Sequence, residues 1–343
     1  MDRRMNITNG RIDLIIGPMF AGKSTELVRR IQYAELSRNK CILCKFSKDN
    51  CNFTRDALST HDMVLIPAIP CSHLVPLIPM LMEYDVIGVD EGQFYPDIVE
   101  FSETMANAGK TVIIAALDGT FQRRPFGKAL NLISKCESIT KLTAVCKETG
   151  CDAPFTKRII KFWPKDKNKW KLINVEDEEL IGGSELYNAV SRGSYFNIST
   201  RGKVNVIIGS EKSGKTTELI RILERFHIAS KKLLLIRHVD ACEDHHNPPF
   251  NVIIDDKLPK VGKHLNEFDI IGVDEAQRFE GLSNWADSLA NAGKTVVISA
   301  LDGDSDQNPF KELVSLIPKS ETIKKLDSVC PLVATRTYWW FLK

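Results

Sequence analysis

The chain has 343 residues, 43% of them hydrophobic and 26% charged, with a formal net charge of +2. That length suits two ordinary domains of a soluble globular protein, and the near-neutral charge gives no electrostatic case for nucleic acid or a membrane surface as partner. No apolar run reaches the ~18–20 residues that cross a bilayer. The opening MDRRMNITNGR has no apolar core of the secretory kind. Nine cysteines, an odd number scattered through apolar segments, read as reduced thiols. A cytoplasmic location is the expectation.

Taken in chain order, the first strand run, DLII, leads into GPMFAGKS at residues 17–24. This fits G-x-x-x-x-G-K-[ST] between a strand and a helix predicted over 24–36. Gly17 and Gly22 let backbone N–H groups approach phosphate oxygens, and the helix N-terminus adds a favourable dipole. Lys23 offers a point charge to terminal phosphates, and the Ser24 hydroxyl is a Mg²⁺ ligand. The next strand run, KCILCKF, holds Cys41 and Cys44. Three apart in a strand, they face opposite sides of the sheet, which argues against a metal knuckle. VIGVDEGQF at 86–94 has the form of a Walker B strand. Asp90 is placed to hold Mg²⁺, and Glu91 to take a proton from an attacking hydroxyl or water. TVIIAALD at 111–118 is a further buried strand. Strands alternating with helices predict a parallel α/β sheet of the P-loop NTPase type.

The pattern then repeats. NAGKTVIIAALDG at 107–119 recurs as NAGKTVVISALDG at 291–303, with eleven of thirteen positions identical. The phosphate loop recurs 192 residues on and the acidic motif 184 residues on, so the second copy is eight residues shorter between them. Two long copies imply a duplicated domain, not a solenoid. The boundary is expected near the polar GSYFNISTRGK, giving domains at 1–197 and 198–343.

In the first copy GPMFAGKSTEL, DEGQFYPDIVEF, MANAGKTVIIAALDGTFQRRPFG, KLTAVC, TKR, IGG and YNAV…SYF follow one another. This series resembles the cytosolic, type II thymidine kinases over roughly residues 10–197. The resemblance implies transfer of the ATP γ-phosphate to the 5′-hydroxyl of thymidine or deoxyuridine. It makes Glu91 the general base, with Lys23, Ser24 and Asp90 handling phosphates and Mg²⁺. It implies an apolar nucleoside pocket that includes Met19, Leu117, Phe121, Phe126, Thr156 and Tyr187, with Asp49 on the sugar side and the backbone of 181–183 reading the base edge. A long lasso loop covers that pocket in the family.

Three departures stand out. The family staples its lasso with a four-cysteine zinc site. Here Cys146 is in place, Thr149 stands at the second position with Cys151 two residues late, and Ser191 and Ser194 replace the second pair. Serine is a poor zinc ligand beside thiolates, so Cys146 and Cys151 are a remnant and no structural zinc is predicted. The lasso also carries extra residues, among them Phe162, Trp163 and Trp170, which either pack its base or form a solvated insertion. Finally, KDNCNFTRD puts Cys51 where the family has a phosphate-side arginine, a role Arg55 could take.

The second copy keeps Gly209, Gly214, Lys215, Thr216, Asp274, Glu275 and Asp302. Its nucleoside half has changed: Glu211–Lys212 replace Met19–Phe20, Ser305 replaces Phe121 and Gln307 replaces Arg123. No lasso follows Cys330. A pocket without its lid cannot exclude water, so this copy is expected to be inactive toward nucleosides, while ATP binding there stays open. The histidine-bearing CEDHHNP reads as a polar loop. The family forms homo-oligomers, so a dimer of tandem chains is expected. A non-catalytic nucleotide-binding regulator or scaffold is the alternative reading.

Overall fold

The computed structural model describes residues 10–47, 57–59, 65–158, 186–199, 202–241 and 248–328. In the first half the strands are β1 (Arg11–Gly17), β2 (Cys41–Phe46), a short antiparallel pair β3 (Ala57–Ser59) and β4 (Leu65–Pro67), then β5 (Ile69–Cys71), β6 (Val86–Val89), β7 (Thr111–Leu117) and β8 (Ser138–Lys141). Helices α1 (Lys23–Leu36), α2 (Ile78–Leu81) and α3 (Ile98–Asn107) fall between them. Six strands form one parallel sheet in the order β5-β2-β6-β7-β1-β8.

The apolar runs explain this order. β6 is buried throughout and β7 along its middle, as strands covered on both faces must be. α1 covers one face with Leu27, Val28 and Ile31 against Ile15 and Ile113. α3 covers the other with Ile98, Phe101 and Met105. Each such side chain contributes about 1.5–3 kcal/mol relative to exposure. The carboxyl ends of β1, β6 and β7 therefore come out together, where open parallel sheets place their ligands.

Beyond the sheet stand two antiparallel pairs, β9 (Ala144–Val145) with β10 (Asp152–Ala153) and β11 (Phe155–Arg158) with β12 (Tyr187–Val190). α4 (Arg192–Phe196) follows, its N-cap Ser191 accepting from the Ser194 N–H.

The second half repeats the plan. Its strands are β13 (Lys203–Gly209), β14 (Leu233–His238), β15 (Asn251–Asp255), β16 (Ile270–Asp274), β17 (Thr295–Leu301) and β18 (Thr322–Leu326). They form a parallel sheet in the order β15-β14-β16-β17-β13-β18, the first sheet's order again. Its helices are α5 (Lys215–Ile228), α6 (Lys263–Asn266), α7 (Leu282–Asn291) and α8 (Lys311–Leu316).

The halves meet along their edge strands β8 and β18. One apolar cluster runs through both, with Leu130 and Ile133 on one side and Leu313, Leu316 and Ile317 on the other. The approach is close. A Cβ on Gly119 would lie 2.7 Å from Cβ of Pro318, and one on Gly303 would lie 2.5 Å from Cβ of Ser134. Positions 119 and 303, like 134 and 318, are 184 residues apart, so the contact is a pseudo-two-fold one.

Candidate active site

The turn from β1 into α1 is built as the motif requires. Gly22 is the N-cap of α1 with φ 78°, a left-handed conformation that glycine takes without steric cost. A Cβ there would meet nothing within 4 Å, so the loop opens outward. Lys23 folds back, its Nζ donating to the Pro18 carbonyl at 2.8 Å. Burial lowers its pKa from the ordinary lysine value, against the pull of Glu91, Asp118 and Asp90. Ser24 Oγ donates to Asp90 Oδ1 at 3.1 Å. Asp90 is buried just beyond the end of β6. Burial and the neighbouring Glu91 push its carboxyl up to about 7, against the Ser24 hydrogen bond and Lys23.

Glu91 sits at φ 55°, an uncommon backbone state for a residue with a side chain and one that costs on the order of 1–3 kcal/mol. Gln93 holds its side chain, with Nε2 donating to Glu91 Oε2 at 2.5 Å and Oε1 accepting from the Leu117 N–H at 2.9 Å. Gln93 was not among the sequence candidates. The signal was there, since DEGQ and DEAQ both keep the glutamine.

Several residues expected on the nucleoside side touch the 17–24 turn or one another. The Met19 N–H donates to Thr156 Oγ1 at 3.0 Å, tying the 17–24 turn to β11. Leu117 ends β7 opposite Gly17 in the β1 register. Phe126 stands edge-on to Phe94, with ring centroids 5.4 Å apart, and Phe94 stacks on Phe46 at 5.0 Å. The Arg158 guanidinium lies 4.2 Å from the Phe121 ring and donates to the Tyr187 hydroxyl at 3.0 Å. Asp49, Cys51, Arg55, Phe162, Trp163, Trp170 and the 181–183 backbone lie outside the described residues, as do Cys330 and residues 242–247 of CEDHHNP.

At the remnant cysteine position, Cys146 Sγ lies 3.4 Å from Ser194 Oγ, and Ser191 Oγ donates to Ser194 Oγ at 3.3 Å. Burial pushes the Cys146 thiol up, but hydrogen bonds from Ser194, Thr149 and the backbone of Ser191 and Glu148 outweigh it and bring it down to about 6. Cys151 is exposed, and its carbonyl accepts from the Cys146 N–H at 2.8 Å. Among the described residues, no three His, Cys, Asp or Glu side chains gather at metal-binding spacing.

The second half repeats the geometry of the 17–24 turn. Gly214 has φ 84°, Lys215 Nζ donates to the Ser210 carbonyl at 2.7 Å, and Thr216 Oγ1 donates to Asp274 Oδ1 at 3.1 Å. Gly209 ends β13 opposite Leu301. Glu275 has φ 50° and accepts from Gln277 Nε2 at 2.6 Å. Burial raises the Asp274 carboxyl above its ordinary value, against the Thr216 hydrogen bond.

The family model described as thymidine kinase matches this chain twice, at residues 10–195 and at 202–337. The chain belongs to the thymidine kinase family. Among individual thymidine kinases, it is 51% identical over 189 residues to "Thymidine kinase 1" of Dictyostelium discoideum, covering 54% of this chain and 78% of that one. It is 48% identical over 191 residues to the cytosolic thymidine kinase of Homo sapiens, covering 55% and 74%. It is 46% identical over 192 residues to the thymidine kinase of Vaccinia virus (strain Western Reserve), covering 56% and 99%. Each alignment thus spans about one half of this chain and most or all of the thymidine kinase it matches. No described helix is long and apolar enough to cross a membrane.

Proposed function

We propose that this chain phosphorylates the 5′-hydroxyl of thymidine or deoxyuridine from ATP, and that the first half does the work. The single observation that carries the assignment to this half is the Met19 N–H to Thr156 Oγ1 hydrogen bond, which ties the 17–24 turn to β11. The second half has Glu211–Lys212 in place of Met19–Phe20 and Ser305 in place of Phe121.

The donor set suits a magnesium nucleotide. The opening over Gly22, the charge of Lys23 and the Ser24–Asp90 pair offer backbone, cation and oxygen ligands in one place. Gly17, Gly22 and Lys23 would hold the phosphates, and Ser24 and Asp90 the Mg²⁺. When bound, Mg²⁺ neutralises charge on the transferring phosphoryl group. Glu91, held by Gln93, takes the proton of the attacking hydroxyl. Met19, Asp49, Leu117, Phe121, Phe126, Thr156 and Tyr187 orient the nucleoside, and the segment between β11 and β12 serves as the lasso that excludes water.

On this reading the chain is a tandem duplication of a P-loop domain, with units at 1–197 and 198–343. The second unit, through Gly209, Gly214, Lys215, Thr216 and Asp274, keeps a nucleotide site without a nucleoside site. A cytosolic dimer of such chains completes the proposal. The test is ATP-dependent thymidine phosphorylation by the intact chain, Glu91→Gln and Glu275→Gln. Loss of turnover in the first variant alone is the expected result. Equal loss in both, or in neither, would overturn the division of labour.

A further inference from the structure

Asp287, on α7 of the second half, makes two contacts that no phosphate-side or nucleoside-side motif accounts for. Its carboxylate accepts both ends of one guanidinium, Arg123 Nη1 at 2.8 Å and Nη2 at 2.7 Å. It also accepts from Arg192 Nη1 at 2.5 Å. Both arginines belong to the first half and both are buried, with side chains 7% and 4% exposed. Arg123 lies in the turn between Phe121 and Phe126, with φ 58°. Arg192 opens α4, directly after the strand that carries Tyr187.

These arginines stand behind the nucleoside wall. The Arg123 guanidinium carbon lies 5.0, 4.9 and 4.4 Å from the ring centroids of Phe155, Tyr195 and Phe196. That of Arg192 lies 5.1 Å from Phe155. Phe155 precedes Thr156, which holds the Met19 N–H. The Tyr195 hydroxyl donates to the Phe121 carbonyl at 2.8 Å. One carboxylate therefore ties the 119–127 turn to the α4 end of the β11–β12 pair, beside the place where Cys146 and Ser194 meet.

The pseudo-two-fold relation makes the device one-sided. The positions corresponding to Arg123 and Asp287 are Gln307 and Glu103. Glu103 pairs instead with Lys135 inside the first half, at 2.7 Å, and the Gln307 carbonyl accepts from Ser134 at 2.6 Å. Among the described residues, only the first half receives the clamp. Arg192 is anchored to the second half by further bonds, to Asn291 Oδ1 at 2.9 Å, Glu321 Oε1 at 2.7 Å and the Lys319 carbonyl at 2.6 Å.

We propose that Asp287 is a positioning residue for the first half's nucleoside pocket, supplied in cis by the second half, whose carboxylate fixes the 119–127 turn and the α4 segment against each other. The inference rests on the thymidine kinase reading of the first half. A buried, bidentate carboxylate–arginine pair is both strong and geometrically exacting, so its loss should loosen what it aligns.

The test compares Asp287→Asn, Arg123→Gln and the double variant with Glu103→Gln as control. Arg123→Gln installs the residue that the second half carries at 307. The thymidine KM should rise roughly tenfold in each clamp variant, the double should be no worse than the worse single, and the ATP KM should stay within about twofold. Amide exchange in 119–127 and 187–196 should quicken in the clamp variants and not in Glu103→Gln. Folded Asp287→Asn with unchanged thymidine KM and unchanged exchange would overturn the proposal, as would parallel losses for both substrates. Absence of turnover in the unmutated chain would instead fail the kinase reading. The exchange measurement then decides the clamp alone.

Discussion

Lys141 and Lys325 each reach across to the opposite half. Lys141 Nζ donates to the Ile317 carbonyl and Lys325 Nζ to the Ile133 carbonyl, both at 2.7 Å. Each is also ion-paired within its own half, Lys141 to Asp118 at 2.6 Å and Lys325 to Asp302 at 2.7 Å. These side chains are 1–5% exposed. Such pairs add little over an apolar substitute, but removing one partner strands a buried charge. Lys141→Met and Lys325→Met should therefore each destabilise the chain by roughly 3–5 kcal/mol. Urea titration would measure this, and a shift in only one variant would contradict the two-fold relation.

The glycines at the join allow a second test. A Cβ at 119 or 303 falls 2.7 or 2.5 Å from a carbon of the opposite half, well inside the ~3.5–4.0 Å that carbons prefer. Gly119→Ala and Gly303→Ala should each cost about 1–3 kcal/mol by overpacking. Gly262→Ala is the control, since its Cβ has no neighbour nearer than 3.9 Å. Thermal denaturation should separate the first two from the third.

These contacts also explain why ALDG stands in both copies. Its aspartates pair with the joining lysines and its glycines touch the other half. The strand–loop–helix at 17–24 and the acidic ending of β6 were legible because local residue types at fixed spacing dictate them. The recurrence at 184 and 192 residues carried the idea of two similar sheets. The pairing of Arg123 with Asp287 was not legible. The two are 164 residues apart, and nothing in helix or strand periodicity says which surfaces of two similar domains will meet. Replacement of Arg123 by Gln307 had marked the second half as altered, but its meaning needed the partner's position.

Asp287 also gives the chain an acid dependence. Burial pushes its carboxyl up, but the hydrogen bonds and charge of Arg123, then those of Arg192, outweigh this and hold it below the ordinary 3.8. A carboxyl depressed by folding contributes in full above its unfolded pKa and loses that contribution as pH falls through the folded one. The stability gap between the unmutated chain and Asp287→Asn should thus be constant from about pH 7 to about pH 5 and narrow below 3.8. Denaturation midpoints measured across that range give the answer, and a gap that widens on acidification would show the sign to be wrong.

Gln93 separates positioning of the base from folding. It is 3% exposed and bridges Glu91 to the Leu117 N–H, while Gln277 makes the matching bridge from Glu275 to the Leu301 N–H. Leucine at either position removes two hydrogen bonds and leaves a backbone donor and a carboxylate without that partner, so both variants should lose about 1–3 kcal/mol of stability. Their effects on turnover should differ. Glu91 is held at φ 55°, and without Gln93 its carboxylate is free to swing from the hydroxyl that the proposed mechanism has it deprotonate. Displacements near 1 Å can cost ~100-fold, so Gln93→Leu should lower kcat roughly 10- to 100-fold with the ATP KM little changed. Gln277→Leu should leave kcat per folded molecule as it was. Steady-state kinetics on both variants, each normalised to its folded fraction, would decide it, and equal kcat losses would mean that the second half takes part in the chemistry.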